Sequence, residues 1–197
     1  MILPNVKDVV SIILTMKMMI LCCVITVKSA GIMGLSQLDF EDLRGYAIMI
    51  KVLFICHGNI CRSPMSEFIL RDMVAKRGIA DQFEIASAAT SREEIGNPVY
   101  PPAVRKLREH GIDPSGKRAR QMTKQDYEYY DYLLAAEQYN IQNMLRIVGG
   151  DPEHKIHRLL DYSKHPRDID DPWYSGDFET AYRDIVEGCE AFLESFR

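Results

Sequence analysis

A continuous apolar run, Lys51-Val-Leu-Phe-Ile-Cys56, passes into a short loop containing Gly58 and Asn59 and then into a helix opened by Pro64. An uninterrupted apolar strand of this length fits one buried on both faces. Proline suits a first helical turn, where its missing N–H costs nothing. Met65, Phe68, Ile69, Met73 and Val74 recur at helical spacing up to Gly78. A strand, a tight polar loop and a helix in that order constrain the chain to α/β architecture, with the loop at the carboxyl end of the sheet, where such sheets bind ligands.

The rest of residues 49–197 keeps the alternation. Strands are predicted over 83–87, 132–136 and 156–160, and helices over 101–110, 141–148 and 177–196. A polar loop spans 161–176. The expected fold is a single three-layer domain, a four-stranded parallel sheet flanked by helices, with a phosphate-binding loop after the first strand.

Residues 1–48 read differently. The stretch 9–27 is nearly all apolar, and the segment carries four basic residues (Lys7, Lys17, Lys28, Arg44) against four acidic ones (Asp8, Asp39, Glu41, Asp42), so the formal net charge of -4 belongs to the remainder. Three readings stand: an anchor helix, which places Lys17 mid-membrane at roughly 2.5–3.5 kcal/mol; a signal-like segment; or an extension upstream of a working start at Met49. With no basic excess there is no field to draw nucleic acid. Five cysteines are too few for a disulfide scaffold, and their odd number leaves a thiol unpaired.

The chemistry lies in Cys56-His-Gly-Asn-Ile-Cys-Arg62-Ser63-Pro64. Successive backbone N–H groups of His57, Gly58, Asn59, Ile60 and Cys61 can curl into a nest at the mouth of a helix, which suits an oxyanion such as phosphate. Gly58 and Asn59 are residue types that tolerate the left-handed backbone such a curl requires. Arg62 can clamp two phosphate oxygens. The same donors favour the thiolate of Cys56, to which Ser63 can donate. A thiolate beneath an oxyanion cradle is set for attack on phosphorus, and expulsion of the leaving group calls for a general acid. Asp168-Ile-Asp170-Asp171-Pro172-Trp173-Tyr174 offers candidates. Asp171 is favoured: Pro172 stiffens its backbone, and the aromatic walls and a phosphate neighbour favour its protonated form. Asp168 and Asp170 are the alternatives. No metal is expected, because no His–Cys cluster completes a ligand set around Cys56 and Cys61, and no cofactor is called for.

These residues resemble the signature of the low-molecular-weight protein tyrosine phosphatases. The resemblance extends over 49–197 through Ser87-Ala-Ala-Thr-Ser91, Ile95-Gly-Asn-Pro98, His110-Gly-Ile112, Ala119-Arg-Gln121, Asp131-Tyr-Leu-Leu134, Asp171-Pro-Trp-Tyr174 and Asp177-Phe-Glu-Thr180. It implies Cys56 as nucleophile, Arg62 as phosphate clamp and Asp171 as acid and then base. Asn59, Ser63 and Ser87 would frame the loop, and Trp173 and Tyr174 would wall a phosphotyrosine slot. Cys61 would trap oxidised Cys56 as a reversible disulfide. Three positions depart from the pattern. Glu93 stands where members often carry an aromatic, which favours substrates with basic residues near the phosphotyrosine. Lys117 replaces a common histidine in a buried polar network, and Glu137 replaces a common aspartate. His57 is expected to face outward. The implied partners are phosphotyrosine-containing proteins, with the chain a monomer or weak dimer. The implied compartment is the cytoplasm, or its membrane face if 9–27 is retained, since a reducing environment keeps the thiol active. The rival readings are a thiol-dependent arsenate reductase on the same fold, which needs further relay cysteines, and a phosphoprotein-binding regulator.

Overall fold

Strand β1 (Ile50–Cys56) occupies the middle of the sheet because neither of its faces tolerates water: Val52, Leu53, Phe54 and Ile55 are all essentially inaccessible. The computed structural model describes residues 49–196, of which 49–193 form one compact unit. The expected segment 9–27 lies outside the described residues. Among them, no helix is long and apolar enough to cross a membrane.

After β1 the chain runs through α1 (Arg62–Lys76), a 3₁₀ turn, β2 (Phe83–Ala89), α2 (Pro101–Glu109), α3 (Lys124–Tyr129), β3 (Tyr132–Ala135), α4 (Gln138–Val148), β4 (Ile156–Arg158), a second 3₁₀ turn, the short α5 (Pro172–Ser175) and α6 (Phe178–Glu194). The sheet order is β2-β1-β3-β4 and every pairing is parallel. The expected four-stranded parallel sheet flanked by helices is therefore present, and each strand is joined to the next through helical segments, as parallel pairing demands.

Alternation along β1 divides the core. Leu53 and Ile55 join Leu133, Ala135, Ile156 and the α4 residues Met144 and Val148 in one cluster, so Val52 and Phe54 face the opposite layer. Helix α1 departs from a simple amphipathic pattern. Met65, Ile69 and Val74 are buried, but so are Ser63, Ser66 and Glu67, while Phe68 and Met73 are half-buried. Polar side chains buried on the first helix must find partners inside the protein, and those partners build the site.

Two short helices escaped the periodicity reading. Helix α3 is held by a capping box, in which Thr123 Oγ1 accepts from the Asp126 N–H and Asp126 Oδ2 accepts from the Thr123 N–H at 2.7 Å. Helix α5 is a single turn started by Pro172 and stopped by Gly176 at φ +73°. The strand expected over 156–160 ends at Arg158, and Leu159–Tyr162 turns into 3₁₀.

Candidate active site

Cys56 is the last residue of β1, and α1 begins six residues later with Arg62. No side chain caps α1, which leaves the first-turn N–H groups to the loop mouth. Within the loop, Asn59 adopts the left-handed conformation at φ +58° and turns its own N–H onto Cys56 Sγ at 3.3 Å. Gly58 does not share that conformation, contrary to expectation. What its missing side chain provides is room: a Cβ there would lie 3.1 Å from Cγ of Glu94.

A buried chain of hydrogen bonds surrounds Cys56. Arg120 N–H donates to Asn59 Oδ1 at 3.2 Å, which fixes the orientation of the amide. Asn59 Nδ2 then donates to Ser63 Oγ (2.9 Å) and Ser87 Oγ (2.7 Å), and Ser87 donates to Glu67 Oε2 at 2.6 Å. Ser63, already accepting from Asn59, has its own proton left to give, with Cys56 Sγ 3.1 Å away and Ala88 O at 3.4 Å. Beneath this chain, Lys117 Nζ lies 2.6 Å from Glu67 Oε2 and donates to Ser87 O at 3.0 Å; Arg71 takes Glu67 Oε1 at 2.8 Å. Burial pulls the Lys117 pKa below the ordinary lysine value against the opposing pull of Glu67. Lys117 thus stands in a buried polar network, as its position implied.

Arg62 is the largest fully buried side chain among the described residues. Its Nη1 donates to Ile169 O at 3.3 Å, and its Nη2 donates to Glu137 Oε1 at 3.0 Å and Asp171 Oδ2 at 2.6 Å. Burial works against the cation, but neighbouring Cys56 and the two carboxylates outweigh it and hold the pKa above the ordinary arginine value. Asp171 caps α5, its Oδ1 accepting from the Trp173 N–H at 3.1 Å. The cation at Asp171 and the two accepted hydrogen bonds were not visible in the sequence, where aromatic walls and a phosphate neighbour were the expected surroundings. Burial first, with Cys56 and Asp171 adding to it, pushes the Cys61 thiol up to about 12.

These groups line a cavity of about 410 Å³. It is lined by His57, Gly58, Ile60 and Cys61 with Cys56 and Arg62, and by Asp171, Trp173, Tyr174 and Glu93. Asn59, Ser63 and Ser87 lie beneath it as buried support. His57 faces outward as expected, with Nε2 3.0 Å from Glu93 Oε2. Trp173 rests against Tyr100 at 5.0 Å between ring centroids, and Tyr174 is 87 % exposed. Glu94 and Tyr139 also line the cavity, and neither was singled out from sequence. Glu94 carries no motif, and Tyr139 arrives from α4, far along the chain. The alternative acids turn away: Asp168 accepts from Gln138 N and Arg158, and Asp170 from Ser175. Among the described residues, no group of three or more His, Cys, Asp or Glu could hold a metal ion.

The arrangement can seat a tetrahedral oxyanion against Cys56 Sγ, grip it with Arg62 and exchange a proton through Asp171. Known proteins with similar sequences carry the same framework. The family model described as low molecular weight phosphotyrosine protein phosphatase matches residues 51–197. The low molecular weight protein-tyrosine-phosphatase YfkJ of Bacillus subtilis is 41 % identical over 151 residues, covering 76 % of this chain and 97 % of that protein. The human low molecular weight phosphotyrosine protein phosphatase is 40 % identical over 149 residues, covering 73 % and 94 %. The crystal structure of YfkJ superposes with a TM-score of 0.71 over 75 % of this chain and 94 % of that one, at 42 % identity.

Proposed function

The chain belongs to the low molecular weight phosphotyrosine protein phosphatase family, and from that membership we propose that it hydrolyses phosphotyrosine in proteins through a cysteinyl-phosphate intermediate formed on Cys56. The observation that carries this reading is that the Asn59 N–H and the Ser63 hydroxyl both reach Cys56 Sγ in a cavity shared with the buried Arg62 and with Asp171.

The reaction divides into two displacements. A phosphate entering the loop takes the Arg62 edge that Asp171 now holds, so the cation's grip on Asp171 passes to the substrate and the carboxyl is free to carry a proton. Cys56 thiolate attacks phosphorus, the bond to the tyrosyl oxygen breaks, and Asp171 delivers its proton to that oxygen. Water then attacks the cysteinyl phosphate and gives a proton to Asp171. The S–P bond breaks, the Cys56 thiolate is restored and inorganic phosphate leaves. Ser63 donates to the sulfur as negative charge returns to it, and Glu137 keeps Arg62 oriented throughout.

Trp173 and Tyr174 form one wall for the phenyl ring, and Glu93 on the other side gives an advantage to substrates with a basic residue near the phosphotyrosine. Cys61 is the partner that captures oxidised Cys56. Residues 49–197 constitute the catalytic domain. The arsenate reductase reading lacks support, since the remaining cysteine of the described residues, Cys189, is fully buried in α6. Cys56→Ser is expected to abolish hydrolysis of p-nitrophenyl phosphate, and residual turnover by that variant refutes the thiolate step. Asp171→Ala is expected to slow poor leaving groups most, and equal slowing of all substrates assigns the proton to another group.

A further inference from the structure

The loop that carries Asp171 is fastened to the start of α4. Asp168 Oδ1 accepts the backbone N–H of Gln138 at 3.0 Å and Arg158 Nη1 at 3.0 Å. Gln138 is the first residue of α4, whose N-cap, Glu137, makes no side-chain capping bond. The Glu137 carboxylate is engaged instead with Arg62 and with Asn140 Nδ2. A helix start without a local cap leaves backbone donors to be satisfied from elsewhere, and Asp168 supplies that acceptor from thirty residues downstream. Next along the chain, the buried Ile169 donates its N–H to Ala136 O at 2.9 Å, and its carbonyl accepts from Arg62 Nη1 at 3.3 Å. Two residues later Asp171 meets Arg62 Nη2. The stretch 136–138 therefore holds the phosphate clamp through Glu137 and the acid loop through Ala136 and Gln138.

We propose that Asp168 is a positioning residue for proton transfer: by capping α4 from a distance, it fixes the acid loop as a rigid arm that aims Asp171 into the cavity. This inference rests on the reading of Asp171 as general acid. Ile169 is held by Ala136 and, with Asp171, by the Arg62 side chain, which a bound phosphate also engages; Asp168 adds a point on the start of α4 that does not involve Arg62, so that the direction of the segment stays set. Proton transfer is sensitive to displacements on the order of 1 Å, so loosening the arm affects the step in which Asp171 acts. The side chain of Asp168 is 48 % exposed, so its ion pair with Arg158 adds little to global stability, and its loss is read in the chemistry.

The test uses the full chain and two substrates, phenyl phosphate, which leaves poorly without a proton, and 2,4-dinitrophenyl phosphate, which leaves well unaided. The readout is kcat/KM, which stops at the first displacement. Asp168→Ala is expected to lower kcat/KM for phenyl phosphate about tenfold, while the value for the dinitrophenyl ester and the inhibition constant of inorganic phosphate stay within about twofold. Asp168→Asn, which keeps an acceptor for the Gln138 N–H, is expected to recover most of the loss. If Asp168→Ala is too unstable to assay, Arg158→Met removes the other partner and is expected to give a smaller split of the same sign. Equal loss on both esters, or none on phenyl phosphate, overturns the proposal. Asp171→Ala is run alongside: if it splits the two esters and the Asp168 variants do not, only the positioning role falls; if it does not split them, the acid assignment falls.

Discussion

Asn59 concentrates more of the site's geometry than any other residue, and its replacement yields a quantitative test. It is 1 % exposed, sits at φ +58°, and its side chain makes three hydrogen bonds, to Ser63 Oγ, Ser87 Oγ and the Arg120 N–H. Alanine loses all three at about 1 kcal/mol each, and its Cβ makes the left-handed backbone cost about 1–2 kcal/mol more. Asn59→Ala is therefore expected to lose about 4–5 kcal/mol. Glycine loses the same bonds without the backbone penalty, offset partly by about 0.5–1 kcal/mol of extra chain entropy. Asn59→Gly is thus expected to be more stable than Asn59→Ala by about 0.5–1 kcal/mol. Urea unfolding at neutral pH with a shared m-value measures both. Both variants should also lose kcat/KM more than about tenfold, because the Ser63 proton no longer has a defined direction. Were glycine no better than alanine, the conformational term would be wrong. If both variants lost under about 1 kcal/mol, the network would carry none of the weight assigned to it.

Lys117→Met leaves the Glu67 carboxylate, 3 % exposed, with Arg71 as its ionic partner, and is expected to cost about 3 kcal/mol; in urea unfolding the Glu67→Gln/Lys117→Met double variant should be the more stable of the two, and a double variant no better than the single one refutes the pairing. At Asp126, burial raises the carboxyl pKa, but Arg120 and Thr123 outweigh it and hold it below 3.8. A carboxyl lowered in the folded state adds stability above the unfolded value and loses it as pH falls through the folded one. Asp126→Asn should therefore be less stable at neutral pH by about 2 kcal/mol, with the gap closing in acid, and a gap independent of pH contradicts this. Gly188 sits in α6 where a Cβ would lie 2.5 Å from Leu159 Cγ. Gly188→Ala is expected to destabilise by about 1–2 kcal/mol despite the gain of about 1 kcal/mol in helix propensity; a raised melting temperature would show that Leu159 yields freely.

The active loop was legible because its constraints are local. A buried strand, a residue type suited to φ > 0, an arginine and a helix-starting proline all lie between Ile50 and Pro64. Helix α3 was not legible by apolar period, because a six-residue helix presents too short a stripe, although its Thr123–Asp126 capping box was written in the sequence. Asp168 illustrates the opposite limit. From sequence it was one of three neighbouring aspartates competing for one role, and its actual partners, Gln138 and Arg158, come from a different helix and strand.

The sequence by itself determined the α/β order and marked the Cys56–Arg62 and Asp168–Tyr174 loops as candidate site segments, since each is set by hydrophobic period, turn chemistry or a short run of residues. Only the tertiary structure decided which carboxylate meets Arg62, which hydroxyl reaches Cys56, and how Lys117 is neutralised. Those outcomes depend on pairing across the sheet. Parallel strands bring the carboxyl ends of β1, β2 and β3 to one edge, and polar groups buried there must satisfy one another whatever their separation along the chain.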